Sequence, residues 1–171
     1  MSAADIEIRR LTADDAEPFR DIRLEALAGN PEAFGSTFEA EKDKPLSWFS
    51  ERLGASHVHG AFRAAKLTGI AVLVIQQSAK MAHKGALVGM YVRPQARRLG
   101  VGRRLVEAII DTARRHVELV QLTVVTGNEA ALRLYGGLGF VQYGLEKKAL
   151  KHGGRYYDEI LMAKDLAQNQ D

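Results

Sequence analysis

The chain has 171 residues, of which 46% are hydrophobic and 26% charged, and this balance predicts one soluble domain with a sizeable core. It contains no cysteine, which excludes disulfides, cysteine-ligated zinc and a cysteinyl covalent intermediate, and favours a cytoplasmic protein. No apolar run approaches the ~20 residues that span a bilayer, and the opening "MSAADIEIRRL" lacks the layout of a signal peptide.

The net charge of +3 is unevenly distributed along the chain. Residues 1–60 hold 12 acidic and seven basic side chains (net −5), and residues 61–171 hold nine and 17 (net +8). Such a division predicts an anionic ligand on the later part and a cationic ligand near the earlier part. The alternative is uneven decoration of the surface.

Before residue 85 the sequence predicts a strand, two helices and a hairpin. The alternating stretch 6–11 is typical of a strand, and Thr12 begins a helix that ends at Gly29 and Asn30, with Pro18 delaying or bending its start. Residues 31–44 show no period and predict a loop or short turn. A short helix over 45–54 is followed by strands over 57–66 and 69–77, joined at Leu67-Thr68-Gly69.

After residue 85 the predicted order is strand, helix, strand, helix and a final strand pair. The strand over 85–94 ends at Pro94, and the helix after it carries an apolar row of Leu105, Ile109, Ala113 and Val117. The nearly all-apolar stretch 117–125 predicts a central strand buried on both faces. A helix over "NEAALRLYGGLGF" ends at its glycines, and strands over 140–150 and 155–166 close the chain. The order predicts a mixed α/β sheet.

The stretch "RRLGVGRRL", residues 97–105, predicts a phosphate site. It lies between a strand and a helix, where main-chain amides have no partner and the helix dipole is positive. Glycine lets an anion approach and permits positive φ. The surrounding arginines, Arg93 and Arg104 among them, add positive charge. The nucleoside-triphosphate pattern is absent, and the dinucleotide pattern lacks its third glycine and its acidic residue.

What the stretch resembles is the acetyl-CoA loop of the GNAT superfamily of N-acetyltransferases, whose pattern is Q/R-x-x-G-x-G/A. Here Arg97-Arg98-Leu99-Gly100-Val101-Gly102 follows the strand end "MYVRP". The family's second motif matches Asn128, Tyr135 and Leu138-Gly139-Phe140. The resemblance implies a single domain over 1–171, with a mixed, mostly antiparallel sheet splayed between two central strands and flanked by helices.

The resemblance also implies direct transfer of acetyl from acetyl-CoA to a primary amine in a ternary complex. Tyr135 would be the general acid for the leaving thiolate, and Gly89 a bulge that opens the cleft. The implied cofactor-binding residues are Met90, Tyr91, Val92, Arg97, Arg98, Leu99, Gly100, Val101, Gly102, Arg103, Asn128 and Tyr135.

Asn128 and Tyr135 are seven residues apart, so on a helix they share a face about 10 Å apart along the axis. That spacing suits the role the family implies, with the asparagine at the pantetheine amides and the tyrosine at the sulfur. The alternatives are a simple N-cap for Asn128 and an ordinary core aromatic for Tyr135. The pair Gly136-Gly137 predicts that the helix ends just after the tyrosine.

The general base is not identified by the sequence, because the strand before the glycine loop carries no acid. Glu39, Glu41, Asp158, Glu159 and water are candidates, and a solvated charge or ion pair is the alternative for each carboxylate.

We expect the acceptor over residues 31–44 and the turn "KHGGRYYD", and the acidity of residues 1–60 favours a cationic one: a polyamine, an aminoglycoside, an amino-acid derivative, or a lysine or N-terminus of a peptide. Aromatic side chains that could wall its site, each with core packing as its alternative, are Phe34, Phe38, Trp48, Tyr156 and Tyr157.

Two other functions remain as alternatives: an idle acyl-CoA-binding or sensor domain, and nucleic-acid binding suggested by the pI of about 9.2. The second is disfavoured because the arginines lie in one loop, without interleaved aromatics. His57 and His59 share one strand face without a third ligand, so no metal is predicted. No membrane partner is expected, and the closing edge strand favours a homodimer.

Overall fold

The computed structural model describes residues 5–167, a range slightly shorter than the predicted domain of 1–171. The helices are α1 (Ala16–Gly29), α2 (Phe38–Glu41), α3 (Leu46–Ala55), α4 (Val101–Ala113) and α5 (Glu129–Gly136). The strands are β1 (Ile6–Arg10), β2 (His57–Arg63), β3 (Lys66–Ile75), β4 (Lys84–Val92), β5 (Leu119–Val125), β6 (Val141–His152) and β7 (Arg155–Asp165). The predicted element order is confirmed, with α2 as an addition inside the predicted loop.

The seven strands form one sheet in the order β1-β2-β3-β4-β5-β7-β6. Every neighbouring pair is antiparallel except β4 and β5, which are parallel. The predicted mixed, mostly antiparallel sheet is therefore confirmed.

The two central strands, β4 and β5, separate soon after they meet. They pair only over Lys84–Ala86 and Leu119–Gln121. Beyond that point β4 has a bulge, because Gly89 and Met90 together face Ala71 of β3. Gly89 has φ 60°, which a residue with a Cβ rarely adopts. The predicted splay and the predicted bulge are both present.

Helices cover both faces of the sheet and bury two apolar clusters. On one face, α4 packs Leu105, Ile109 and Ala113 of its predicted row into a cluster that includes Tyr135 and Phe140. Val117, the fourth residue of that row, lies beyond the end of the helix and joins the same cluster. On the other face, α1 and α3 pack around Phe19, Ile22 and Phe49. The cleft between β4 and β5 lies between these two layers, so both helical layers contribute to it.

The predicted late start of the first helix is confirmed. A 3₁₀ turn over Ala13–Asp15 precedes α1, and the Thr12 main-chain N–H donates to Asp15 Oδ2 at 2.8 Å. Pro18 is the third residue of α1, where its missing N–H needs no acceptor.

Two local predictions are wrong. The β2–β3 hairpin turns at Ala64 and Ala65, which have φ 47° and 62°, not at residues 67–69, because the strand pairing continues to Lys66. Strand β5 is not buried on both faces: Val120, Leu122 and Val124 are buried, whereas Thr123 is exposed. The second face of β5 lies on the open side of the splay. No helix within residues 5–167 is both long enough and apolar enough to cross a membrane.

Candidate active site

A cavity of about 420 Å³ lies where β4 and β5 separate. Its walls come from both helical layers, from the sheet and from the segment before α2. Its lining includes Arg23, Phe34, Ser36, Arg52, Gly89, Met90, Thr123, Asn128, Leu134, Tyr135 and Glu159. The splay thus creates one space that reaches from α1 and α3 on one face to α5 on the other.

Tyr135 contributes a buried phenol to this cavity, with only 7% of its surface exposed. The ring packs edge-on against Phe140, with centroids 5.8 Å apart. Within residues 5–167, no protein group hydrogen-bonds the hydroxyl. Burial raises the pKa of Tyr135 to about 12, so the phenol stays protonated through the neutral range. Tyr135 is therefore both a core aromatic, as the alternative predicted, and an unused proton donor in the cavity wall.

Asn128 is the N-cap of α5, which confirms the alternative for this residue. Its Oδ1 accepts a hydrogen bond from the Ala131 amide at 3.2 Å. The cap uses only the oxygen, so the Nδ2 group keeps its two donors. Because Asn128 also lines the cavity, capping and ligand binding are compatible. Helix α5 ends at Gly136, one residue after the tyrosine, as predicted.

The glycine loop has the backbone geometry of an anion nest. Arg98 (φ 63°) and Gly100 (φ 76°) are left-handed on either side of Leu99. Gly100 is also the N-cap of α4, and its carbonyl accepts a hydrogen bond from the Arg104 amide at 3.1 Å. The amides of Val101 and Gly102 precede it in the first turn, where no intrahelical acceptor exists. The loop therefore presents main-chain N–H groups at the positive end of the α4 dipole.

Gly102 allows the start of α4 to approach the splayed strand and α5 closely. A Cβ built there would lie 3.3 Å from Met90 Cε and 3.5 Å from Leu134 Cδ2. A larger side chain at position 102 would fill the space beside the loop.

The arginines around the loop have different roles. Arg97 Nε donates to the Val92 carbonyl at 2.9 Å, which ties the loop to the end of β4. Arg103 pairs with Glu107 on the helix surface at 2.9 Å, and Arg98 is exposed. The two further arginines that the sequence assigned to the phosphate lie elsewhere. Arg93 pairs with Glu25, and Arg104 Nη1 donates to the Ile6 carbonyl at 2.7 Å.

Residues Met90–Val92 form the free edge of β4 beyond its pairing with β5. On the other edge, Tyr91 pairs with Ile70 of β3. The Tyr91 side chain is buried and donates to Glu25 at 3.0 Å, so it anchors β4 to α1. This edge can pair with an extended ligand through its main chain, although Arg97 occupies the Val92 carbonyl.

Two of the four carboxylate candidates for the base are engaged in ion pairs. Burial would raise the pKa of Glu41, but hydrogen bonds from Arg23 and Ser36 and the charges of Arg23 and Arg52 hold it below its usual value. The pKa of Asp158 is also lowered, by the Lys148 amide and by Lys147 Nζ at 2.9 Å. Both carboxylates are poor proton acceptors in these surroundings.

Glu159 is the carboxylate that lines the cavity. Burial raises the pKa of Glu159, hydrogen bonding from Thr123 opposes the rise, and the charge of Glu146 adds to it. Glu146 faces Glu159 across the β6–β7 pair. Glu39, the remaining candidate, is exposed on α2 and does not line the cavity.

Of the five aromatic residues predicted to wall the acceptor site, only Phe34 lines the cavity. Trp48 packs edge-on against Phe49, with centroids 4.9 Å apart. Tyr156 is exposed at the β6–β7 turn beside Lys148 and Lys151. Phe38 and Tyr157 also lie outside the cavity lining. The other four rings were predicted from their position near the acceptor segments in the sequence, and the fold does not place them in the cavity lining.

Three further residues line the cavity that the sequence did not predict there: Arg23, Arg52 and Thr123. Arg23 gave a readable signal, since it lies four residues after Phe19 on the buried face of α1. A charge on an apolar helix face needs a partner, and Glu41 provides it.

His57 and His59 lie on the α4 side of β2. The centres of the His57 and His116 rings lie 4.7 Å apart with the ring planes tilted by 33°, and His59 Nε2 lies 3.3 Å from Thr112 Oγ1. In the part of the chain described, no group of three or more histidine or acidic side chains could hold a metal ion.

Comparison with known proteins bears on the splayed sheet and its cavity. Residues 18–140, most of the chain, match the model of the acetyltransferase (GNAT) family. This chain belongs to that family. The N-alpha-acetyltransferase RimI of Mycobacterium tuberculosis is 31% identical over 163 residues, which cover 94% of this chain and 92% of the relative.

Solved structures of GNAT acetyltransferases have the same fold. A ribosomal-protein-alanine N-acetyltransferase from Brucella melitensis superposes with a TM-score of 0.79 at 26% identity, covering 94% of this chain and 99% of its own. The putative acetyltransferase yncA from Salmonella typhimurium, solved with its cofactor acetyl-CoA, gives 0.82 at 24% identity, covering 94% of each chain. As a GNAT protein, the chain is an acetyl-CoA-dependent N-acetyltransferase.

Proposed function

We propose that this GNAT enzyme transfers acetyl from acetyl-CoA directly to a primary amine, with both substrates bound in the cavity between β4 and β5. The observation that carries the proposal is the Tyr135 hydroxyl. The residue is only 7% exposed, and its hydroxyl is protonated and has no protein partner within residues 5–167, in a side chain that lines the cavity. Its proton is therefore available to a ligand bound in the cavity.

The residues present fit acetyl-CoA. The nest around Arg98 and Gly100 and the first turn of α4 would bind its pyrophosphate, with Arg103 adding charge near it. The free edge of β4 at Met90–Val92 and the Asn128 amide would bind the pantetheine arm. The full set proposed for the cofactor is the one implied by the sequence: Met90, Tyr91, Val92, Arg97, Arg98, Leu99, Gly100, Val101, Gly102, Arg103, Asn128 and Tyr135.

The thioester supplies the acetyl group, and the residues of this chain donate and accept the protons. As the amine nitrogen bonds to the acetyl carbon, the carbon–sulfur bond breaks. Tyr135 donates its proton to the departing sulfur. A backbone N–H near the Gly89 bulge stabilises the charge that develops on the carbonyl oxygen. Since the chain has no cysteine, no cysteinyl enzyme can form.

We assign the general base to Glu159. It is the one candidate carboxylate in the cavity lining, whereas Glu41 and Asp158 are held by ion pairs. Its raised pKa brings it closer to that of the amine proton it accepts. Tyr135 and Glu159 then supply an acid and a base in the lining of one cavity.

The test is a coupled measurement of thiol release from acetyl-CoA across a panel of amines. We expect amine-dependent turnover and initial-rate lines that intersect, as a ternary complex requires. Thiol release with no amine present would contradict the proposal, and binding of acetyl-CoA without turnover on any amine would favour the idle binding domain. A cytoplasmic location and a homodimer stay predictions.

A further inference from the structure

Two guanidinium groups line the acceptor side of the cavity but share a single carboxylate. Arg23 donates to Glu41 through Nε at 3.0 Å and Nη2 at 2.8 Å. Arg52 Nη1 lies 3.9 Å from Glu41 Oε1. Among the described residues no second acid pairs with either arginine, so one positive charge at this end of the cavity is uncompensated.

Both arginines keep unused donors. The two hydrogen bonds of Arg23 leave its Nη1 free among residues 5–167, and that nitrogen lies 3.6 Å from where a Cβ on Gly89 would be. The guanidinium therefore reaches the bulge at the splay. Within residues 5–167 the one ion pair of Arg52 is the loose contact with Glu41, and burial together with the nearby charge of Arg23 lowers the pKa of Arg52. A bound anion would relieve that repulsion.

The position of Arg52 is fixed by stacking, although its side chain is 42% exposed. Its guanidinium lies 4.6 Å from the centre of the Trp48 ring. Trp48 in turn packs against the fully buried Phe49. Trp48 thus acts from behind the cavity wall, by holding Arg52 at the cavity.

The same cavity lining also carries the opposite charge, on Glu159. We infer that the acceptor is a small amino acid or close derivative, whose amine meets Glu159 and whose carboxylate pairs with Arg52 and the free Nη1 of Arg23. This inference rests on the proposed function and adds the acceptor's class. The guanidinium geometry suits a carboxylate, which can accept two parallel hydrogen bonds.

The charge of the cavity differs from the charge of the segment that forms it. Residues 1–60 are acidic, and that favoured a cationic acceptor. The ionisable side chains that this segment contributes to the cavity lining are nonetheless Arg23 and Arg52. A polyamine or aminoglycoside would bring further positive charge against them, whereas an amino acid brings its own counter-charge. The cavity's 420 Å³ also suits a small acceptor.

The test compares matched acceptors. For the best of the twenty amino acids, kcat/KM is measured beside that of its carboxamide and of the amine left after decarboxylation. We expect both analogues, which lack the carboxylate, to be poorer by about 10- to 100-fold, as for loss of one charge-assisted hydrogen bond. A tripeptide that begins with the same residue and carries an acidic second residue forms a fourth arm. Equal or better turnover of any of the three would overturn the inference.

Arg52→Met tests the contribution of the arginine to acceptor binding. The side chain is half-exposed, and Glu41 keeps its ion pair with Arg23 when Arg52 is replaced. The substitution should remove the preference for the carboxylate while leaving the KM for acetyl-CoA and the rate on the decarboxylated amine unchanged. Arg52→Glu should reverse the preference. The matched control is Arg20→Met on the α1 surface, which should behave as the wild type.

A binding experiment separates this inference from the proposed function. If no acceptor is turned over, the proposed function fails, and calorimetry with the N-acetylated amino acid still decides the inference. We expect that compound to bind the wild type at least tenfold more tightly than Arg52→Met. Equal affinity would overturn the carboxylate site.

Discussion

The Tyr135 and Phe140 rings meet edge to face, with centroids 5.8 Å apart and ring planes at 67°. The Phe140 amide also donates to the Tyr135 carbonyl at 3.0 Å, so the end of α5 folds back on the tyrosine. These contacts fix the ring and leave its hydroxyl free for a ligand. Removal of the hydroxyl should therefore change chemistry and leave packing intact.

Tyr135→Phe should lower kcat by about 10²- to 10⁴-fold, the usual contribution of a general acid. Affinity for acetyl-CoA, measured by calorimetry, should change far less, because the ring remains. Tyr157→Phe, which alters a tyrosine outside the cavity lining, is the control and should keep the wild-type rate. An unchanged kcat in Tyr135→Phe would move the acid to another group.

Gly102→Glu should abolish binding of coenzyme A while the protein stays folded. The new side chain would extend toward Met90 and Leu134 and bring a negative charge to the first turn of α4. Gly54→Glu is the matched control, since a Cβ at Gly54 meets nothing within 4 Å. Circular dichroism reports the fold and calorimetry the affinity. Wild-type affinity in Gly102→Glu would refute the assignment of the loop.

Glu159→Gln should lower kcat/KM for the amine and change its pH dependence. A base acts when deprotonated, so wild-type activity is present above the pKa of Glu159 and lost below it. Because that pKa is raised, the loss begins at a higher pH than for an ordinary glutamate. The variant should lose this acid limb and show only the rise that follows deprotonation of the amine. Glu39→Gln, on the exposed α2, should keep the wild-type profile. An unchanged profile in both variants would leave water as the relay.

Glu41→Ala should destabilise the fold by about 3–5 kcal/mol, since it leaves the guanidinium of Arg23 buried without its partner. Asp43→Ala, two residues later and exposed, should stay within about 0.5 kcal/mol of the wild type. Urea unfolding at neutral pH measures both. A loss of stability below about 1 kcal/mol in Glu41→Ala would mean that water solvates the Arg23 guanidinium once its partner is removed.

Acid should destabilise the protein through His57 and His59. Burial and the charge of Arg10 lower the pKa of both imidazoles, which are therefore neutral in the fold. The unfolded chain binds protons near the ordinary pKa of 6.5, so stability is full above that pH and falls as the pH drops below it.

Urea midpoints between pH 7 and pH 5 measure this slope. It should flatten in the double variant His57→Gln, His59→Gln and persist in His152→Gln, which alters an exposed histidine beside the β6–β7 turn. Constant stability across this range would contradict the prediction.

Local signals in the sequence determined much of this molecule. Alternation and apolar rows gave the element order, the paired glycines gave the loop before α4, and the spacing of Asn128 and Tyr135 gave one helix face. Gly89 could be predicted as a bulge because glycine inside a strand often marks a bulge. Each of these features depends on residues close together in the chain.

The tertiary structure alone decided which charges meet in the cavity. Arg23 and Arg52 lie on separate helices, Glu41 lies between them in sequence, and Glu159 lies on the last strand. The net negative charge of residues 1–60 did not predict the positive charge that this segment brings to the cavity. The net charge counts acidic side chains outside the cavity, and Glu41 is paired with Arg23. Nor did the sequence reveal that Arg93 pairs with Glu25 and that Arg104 donates to the Ile6 carbonyl. Side-chain direction and pairing depend on contacts across the sheet, and these form only when the chain is folded.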